Sequence, residues 1–330
     1  MLLLCHKPDK NTISSLTDFP RIFGVMPLNN PPQTSDMRRS TLMGGVAILL
    51  WSTTIAFSRS LTEQLGTLTT AATIYTAAGL AGLLAAWLRP GSLSAMRRLP
   101  RAYLLGCGAL FVIYIAALYL AVGLAQTRIQ VLAVGLINYL WPALSLILSI
   151  PILSRRARPM LPVGIALALA GIWLATTGGS DLSGSEMGSL LPYLLALAAA
   201  VSWALYSNLS RRWAAGDDGG GVPLFLLASG LLVGIFRLFI PEVSQWSAQA
   251  AVEFTYMALL PGMLAYILWD IAVRKGEIIL VASLSYLTPL LSTLFSTLIL
   301  NVQPGALLWM GAGLVIAGAV ICKISIIDPE

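Results

Sequence analysis

Ten stretches of this chain are apolar over about the length a helix needs to cross a bilayer, roughly 20 residues. They lie near residues 41–58, 67–88, 103–125, 129–152, 159–177, 188–209, 222–240, 251–273, 278–300 and 305–324. Spread over 330 residues, they leave one short loop between neighbours and no room for a soluble nucleotide-binding or catalytic domain. Composition agrees: 57% of the residues are hydrophobic and 10% are charged, with a mean hydropathy of +0.83. An ordinary soluble domain carries roughly 25% charged residues. Inside lipid every backbone N–H and C=O must bond within its own segment, so each run is expected to be an α-helix. The apolar–polar alternation of a membrane barrel is absent. The expected fold class is an all-α polytopic membrane protein with ten transmembrane helices.

The cations fix an expected orientation, because Lys and Arg accumulate in cytoplasmic loops. One set of loops holds fourteen of them: Arg38 and Arg39, four between Arg89 and Arg101, Arg155, Arg156 and Arg158, Arg211 and Arg212, Arg274 and Lys275, and Lys323. The alternate loops hold Arg59 and Arg128, and carry Asp181, Glu186, Glu242 and Glu253. Both termini are therefore expected on the cytoplasmic side of the membrane. The formal net charge of +6 reads as a topology signal, and no nucleic-acid partner is needed to explain it. Residues 1–36 contain Pro8, Pro20, Pro27, Pro31 and Pro32 and no apolar run long enough to span. They also lack the basic start and continuous apolar stretch of a signal peptide. They are expected to be a disordered cytoplasmic tail or a non-native extension, with Met37 immediately before the basic cluster.

The halves resemble each other when overlaid. Trp51 is followed eight residues later by Arg59 in WSTTIAFSR, and Trp203 eight later by Arg211 in WALYSNLSR. INYLWPALS from Ile137 aligns with LSYLTPLLS from Leu284, so Asn138, Tyr139, Pro142 and Ser145 match Ser285, Tyr286, Pro289 and Ser292. The same offset carries Tyr119 onto Tyr266. Five passes per half is an odd number, so the second half is expected to lie inverted relative to the first. The division is 37–178 for the first five-helix repeat and 179–330 for the second, around a central cavity. Inverted repeats belong to secondary transporters, which hold substrate near the midplane at the repeat interface.

Over about 37–325 this layout resembles the drug/metabolite transporter superfamily, in its EamA-type branch. The run LINYLWP at 136–142 resembles the aromatic amino-acid exporters of that branch. The resemblance implies a small-molecule exporter whose cargo is amino acids, chiefly aromatic and large neutral ones.

The residues themselves point to a central chamber. Pro142 and Pro289 each remove a helix hydrogen bond and kink the chain, freeing the carbonyls of Asn138 and Ser285. Open backbone at that depth is tolerated where it is buried or lines a watery cavity. The expected roles are hydrogen bonds from an α-ammonium group to those carbonyls and from the Asn138 amide to a carboxylate. The alternative is a packing kink satisfied by a neighbouring helix. Trp and Tyr at span ends form interfacial belts, and Trp87, Trp213, Trp246, Tyr103 and Tyr193 are assigned there. Trp51, Tyr114, Tyr139, Trp141 and Tyr286 sit near span centres, with Trp203, Tyr206 and Tyr266 somewhat off centre. These residues, with Tyr119, Asn138 and Ser285, are the candidate substrate-binding set; helix packing is the alternative for any one of them. Tyr139 and Trp141 are two apart, so a regular helix would point them to different sides unless the Pro142 kink relaxes the restriction. Small residues at four-residue spacing (Ala78 and Gly82, Gly164 and Ala168, Gly313 and Ala317) allow close helix approach, as scaffold or as a dimer contact.

Charge at mid-depth marks function by default, and Asp270 is the candidate coupling residue, with Arg237 the only other charge in question. Asp270 lies about a turn from its span's cytoplasmic end, near Arg274, and an interfacial ion pair is the expected arrangement. With no other carboxylate or histidine at depth, gradient-driven facilitated transport is expected ahead of tight proton coupling. No cofactor or metal is expected: the one histidine is His6, and Cys5, Cys107 and Cys322 are far apart. No Gly-rich phosphate loop is present. The expected partners are the substrate and the lipid bilayer, with the protein a monomer or weak dimer. Two other readings are a carrier of cationic drugs, nucleotide sugars or lipid-linked sugars, and an intramembrane enzyme. The first would favour a carboxylate or basic residues in the cavity. The second needs a nucleophile or paired metal ligands at depth, which the sequence lacks.

Overall fold

Helices begin and end here where side chains and glycines satisfy or release the backbone. The computed structural model describes residues 34–126, 134–135, 137–177, 189–215, 220–300 and 306–327. Residues 1–33, with Cys5 and His6, and the loop residues Arg128, Asp181 and Glu186 lie outside the described residues, as do the side chains of Arg59 and Ser292. Helix α1 (Thr34–Ser52) already starts within the stretch expected as tail. It stops where three consecutive hydroxyls turn back on the helix. Ser52 donates to the Ile48 carbonyl, Thr53 to Leu50 and Thr54 to Trp51, at 2.7–2.8 Å. Such hydroxyls compete with the backbone ladder and bend helices. The chain resumes as α2 (Thr54–Leu65).

Gly66, with φ +84°, joins α2 to α3 (Thr67–Leu88). That glycine offers no capping side chain, so the cap comes from far along the chain. The Leu68 and Thr69 N–H groups donate to Glu242 at 2.9 and 2.8 Å. Arg237, 3.5 Å from Glu242, holds that carboxylate in place. This pairing at a helix end is where the second mid-depth candidate charge finds its role.

A short α4 (Ser92–Arg97) precedes α5 (Ala102–Leu124), whose first turns, Ala102–Cys107, are π-helical. Next come α6 (Trp141–Ile152), α7 (Leu161–Thr177), α8 (Leu191–Ala214) and α9 (Val222–Phe239). Helix α10 (Ala248–Lys275) contains a π segment, Leu260–Leu264, around Pro261. The chain closes with α11 (Ile278–Leu284), α12 (Leu287–Leu300) and α13 (Ala306–Ser325). An antiparallel pair of two-residue strands, β1 (Arg156–Ala157) and β2 (Ile326–Ile327), is a small addition to the all-helical expectation. Among the described residues, five helices are long and apolar enough to cross a membrane by length and composition: α3, α5, α8, α9 and α10. Shorter apolar helices occupy 141–152, 161–174, 278–291 and 309–325. The protein is a multi-pass helical membrane protein.

Small residues set the closest helix approaches. A Cβ on Gly79 would stand 2.4 Å from the Leu227 backbone, and one on Gly230 2.3 Å from that of Thr76, so α3 and α9 are nearly in backbone contact. Helices α7 and α13 meet in the same way. A Cβ on Gly164 would stand 2.9 Å from the Cys322 backbone, one on Gly171 2.7 Å from the Gly311 carbonyl, and one on Gly318 2.5 Å from the Ala168 backbone. Gly164 and Ala168 are therefore scaffold contacts, as is Ala78 in α3, fully buried at 0% exposure. Gly313 and Ala317 are not: both are exposed, and nothing lies within 4 Å of a Cβ on Gly313. The four-residue spacing was correct for α13, but the contacting face is the neighbouring one through Gly311, Val315, Gly318 and Cys322.

Candidate functional site

A cavity of about 200 Å³ opens among α1, α2, α3, α5, α6, α8, α10 and α12. It has space for several waters, each needing roughly 10–15 Å³ of such volume. Eight of the candidate residues line it: Trp51, Tyr114, Tyr119, Asn138, Tyr139, Trp141, Trp203 and Tyr266. Helix breaks put several of them there. Trp51 sits at the end of α1, and its indole N–H donates to the Pro261 carbonyl at 3.2 Å. That carbonyl lies in the π segment of α10. Tyr139 and Leu140 form a turn before α6 begins at Trp141, with Pro142 in its first turn. The lost helical phase lets Tyr139 and Trp141 both line the cavity, as a regular helix would not.

The aromatic rings form one contiguous wall. Trp203 meets Tyr114 at 4.6 Å between ring centroids, Trp51 at 5.8 Å and Trp141 at 6.3 Å. Trp269 closes the set from behind, 5.3 Å from both Trp51 and Trp141. The hydroxyls converge elsewhere: Tyr75 lies 3.4 Å from the Tyr119 oxygen and 3.3 Å from that of Tyr266. Aromatic walls with a few convergent polar groups are what an amphipathic small molecule needs.

Three candidates do not line the cavity. Tyr206 stacks on Trp203 from outside it, at 5.0 Å and 29°. Tyr286 is fully buried in the core. Ser285 is buried too, its hydroxyl donating to the Ala282 carbonyl, and its carbonyl accepts the Thr288 N–H at 3.0 Å. The carbonyl expected to be freed by Pro289 is therefore occupied. Even so, the helices of both prolines break within one residue of corresponding places, at 139–140 and 285–286. Sequence reasoning missed Tyr75, Thr54, Met257, Pro261 and Thr288 in the lining. Tyr75 is central in its span, so the depth argument applied to the other tyrosines finds it. Thr288 is the repeat counterpart of Trp141, but its own residue type gave no signal.

Asp270 pairs with Arg274 at 2.9 Å, as expected, but the pair is enclosed in protein: both side chains are 2% exposed. Tyr206 donates to Asp270 at 2.8 Å, and the Tyr103 hydroxyl reaches both carboxylate oxygens at 3.0 and 2.9 Å. Tyr103 also accepts the Gly221 N–H and lies under the Arg274 guanidinium, 5.5 Å from ring centroid to carbon. Its assignment to the interfacial belt is thus corrected: it is 0% exposed. A residue one position into a span looks interfacial in sequence, but the π start of α5 turns this one inward. Trp87 and Trp246 are exposed as a belt requires, while Trp213 packs over Gly106 and Tyr193 is half-buried. Glu253, counted among the loop acids, lies inside α10 at 9% exposure and accepts from Gln249 at 2.8 Å. It stands one turn before the cavity residue Met257.

The EamA-like transporter family matches residues 39–177 and again 190–323. The chain is 31% identical over 290 residues to the aromatic amino acid exporter YddG of Salmonella typhimurium, covering 86% of this chain and 97% of that one. It is 32% identical over 293 residues to the exporter of that name from Ancylobacter novellus, with the same coverage. A solved crystal structure superposes with a TM-score of 0.75 at 28% identity, over 87% of this chain and 98% of its own. The matching family and the two exporters are transporters, which points away from an enzyme. The chain, a multi-pass membrane protein, belongs to the EamA-like transporter family.

Proposed function

We propose that this protein exports amino acids, chiefly aromatic and large neutral ones, across a bacterial inner membrane. The observation that carries the reading is the cavity whose wall is built from Trp51, Tyr75, Tyr114, Tyr119, Tyr139, Trp141, Trp203 and Tyr266. An aromatic side chain finds apolar ring faces there and a polar head group finds hydroxyls. The similarity to two aromatic amino acid exporters supports the same cargo.

In this reading ten helices form two inverted five-helix sets, 37–178 and 179–330. The sets rock about the cavity to open it alternately to either side, and both termini are cytoplasmic. The double family match and the nearly corresponding helix breaks at 139–140 and 285–286 support the repeat. Pro142 and Pro289 permit the bending, and Trp203, in contact with Trp51, Tyr114 and Trp141, is the central gate residue. Transport is facilitated, driven by the substrate gradient. The buried acid Asp270 is held by a cation and two hydroxyls, which supports a fixed rather than a cycling charge.

The test is flux of labelled phenylalanine, tryptophan and threonine into proteoliposomes, with and without a pH gradient. Saturable flux of the aromatic substrates without the gradient, lost in Trp203→Ala, is expected. Flux only with the gradient would overturn the facilitated mechanism and keep the substrate. No amino-acid flux in well-folded, inserted protein would overturn the substrate and favour drug or lipid-linked cargo.

A further inference from the structure

Several polar groups around the cavity are already committed. The Trp51 indole N–H is bonded to Pro261, the Thr54 hydroxyl to the Trp51 carbonyl, and Tyr75, Tyr119 and Tyr266 to one another. Two atoms differ. The Asn138 Oδ1 and the Thr288 Oγ1 are buried and make no hydrogen bond. Several other buried polar atoms are unpartnered, but among the described residues only these two belong to side chains that line the cavity. Such atoms are costly to leave unbonded, and an unsatisfied group in a native site calls for an explanation.

Their placement supplies one. Asn138 immediately precedes the break at 139–140, and Thr288 follows the break at 285–286 by two residues. One comes from each half of the chain, and each is a helical residue within two positions of a break. An amide oxygen only accepts, so its natural partner is a donor. A threonine hydroxyl can donate as well as accept, so it can serve an anion.

We propose that Asn138 and Thr288 form the head-group subsite of the cavity, Asn138 Oδ1 accepting from the substrate's α-ammonium and Thr288 Oγ1 donating to its α-carboxylate. The proposal rests on the amino-acid reading above and assigns the head group to side chains, in place of the freed carbonyls expected from sequence. It also reverses the role of Asn138, from a donor to the carboxylate to an acceptor from the ammonium. Both polar atoms are enclosed while their side chains border the open volume, so a side-chain rotation completes the site as substrate enters. Because the two residues belong to opposite halves, a zwitterion bridges the parts that move. A ligand shifts a conformational equilibrium only through contacts that differ between states, and this bridge is such a contact.

The experiment measures phenylalanine, phenethylamine (no carboxylate) and phenylpropionate (no ammonium) as substrate or competing ligands in proteoliposomes of wild type, Thr288→Val and Asn138→Leu. Thr288→Val should weaken phenylalanine and phenylpropionate by roughly 10- to 100-fold, the worth of a hydrogen bond to a charged group, and leave phenethylamine unchanged. Asn138→Leu should weaken phenylalanine and phenethylamine and leave phenylpropionate unchanged. Thermal unfolding without ligand gives an independent readout: Thr288→Val should melt no lower than wild type, since its hydroxyl has no partner to lose. Equal weakening of all three ligands in both variants, or unchanged phenylalanine affinity, overturns the subsite while wild-type phenylalanine transport preserves the amino-acid reading. A wild type that binds none of the three overturns both.

Discussion

Replacing Asp270 by Asn should destabilise the folded protein more than any single hydroxyl deletion around it. Asp270 and Arg274 are 2.9 Å apart and each only 2% exposed, so solvent screens neither of them. Removing the carboxylate charge leaves a guanidinium buried without its counter-ion, which costs about 3–5 kcal/mol. Tyr206→Phe deletes one hydrogen bond to that carboxylate, at 2.8 Å, worth about 1.5–3 kcal/mol. Tyr103→Phe deletes the contact to both Asp270 oxygens and the acceptor of the Gly221 N–H, so it should fall at the upper end of that range. The order of unfolding midpoints should be wild type, Tyr206→Phe, Tyr103→Phe and then Asp270→Asn, followed by tryptophan fluorescence on heating in detergent. The double variant Asp270→Asn/Arg274→Met should recover much of the loss, because neutralising both partners removes the stranded charge. High salt should leave the gaps unchanged, since a buried pair is little screened. An Asp270→Asn midpoint equal to wild type, or a double variant no better than the single, would refute the account of this cluster.

Two of the glycines of α13, Gly313 and Gly318, should separate cleanly. Gly318→Ala drives a methyl against the Ala168 backbone and should disrupt the packing of α7 and α13, whereas Gly313→Ala meets only open space and should be silent; yield and unfolding midpoint in detergent distinguish them. Glu242→Ala uncaps α3 and should cost about 0.5–2 kcal/mol, the usual worth of a helix cap; faster amide exchange confined to the first turns of α3 would show it, and no change would count against the cap. Facilitated transport predicts that Glu253→Gln keeps phenylalanine flux with and without a pH gradient. Loss of flux in folded Glu253→Gln protein would make that buried carboxylate the coupling group.

What could be read from the chain follows from the solvent each segment must face. Apolar runs of span length dictate helices because lipid offers no partner to the backbone, and α3, α6, α7, α9, α11 and α12 lie within those runs, while α1, α2, α5, α8, α10 and α13 overrun theirs and α4 lies between two. The central aromatics were legible by depth, since an interfacial role fails in the middle of a span. Trp51, Tyr114, Tyr139, Trp141 and Trp203 do line one cavity. The Asp270–Arg274 pair was legible because residues four apart share a helix face.

What was not legible depends on rotation and on partners remote in sequence. Tyr103 looked interfacial until the π turn at 102–107 aimed it at Asp270, 167 residues away. Gly313 and Ala317 have the right spacing on the wrong face, because spacing defines a stripe without saying which stripe meets the neighbour. Glu242 looked like a loop charge, yet it caps a helix whose own N-cap, Gly66, has no side chain to offer. Helix and depth are local consequences of composition in a bilayer. Which face turns inward, and which distant group satisfies a buried atom, is decided only when the helices pack.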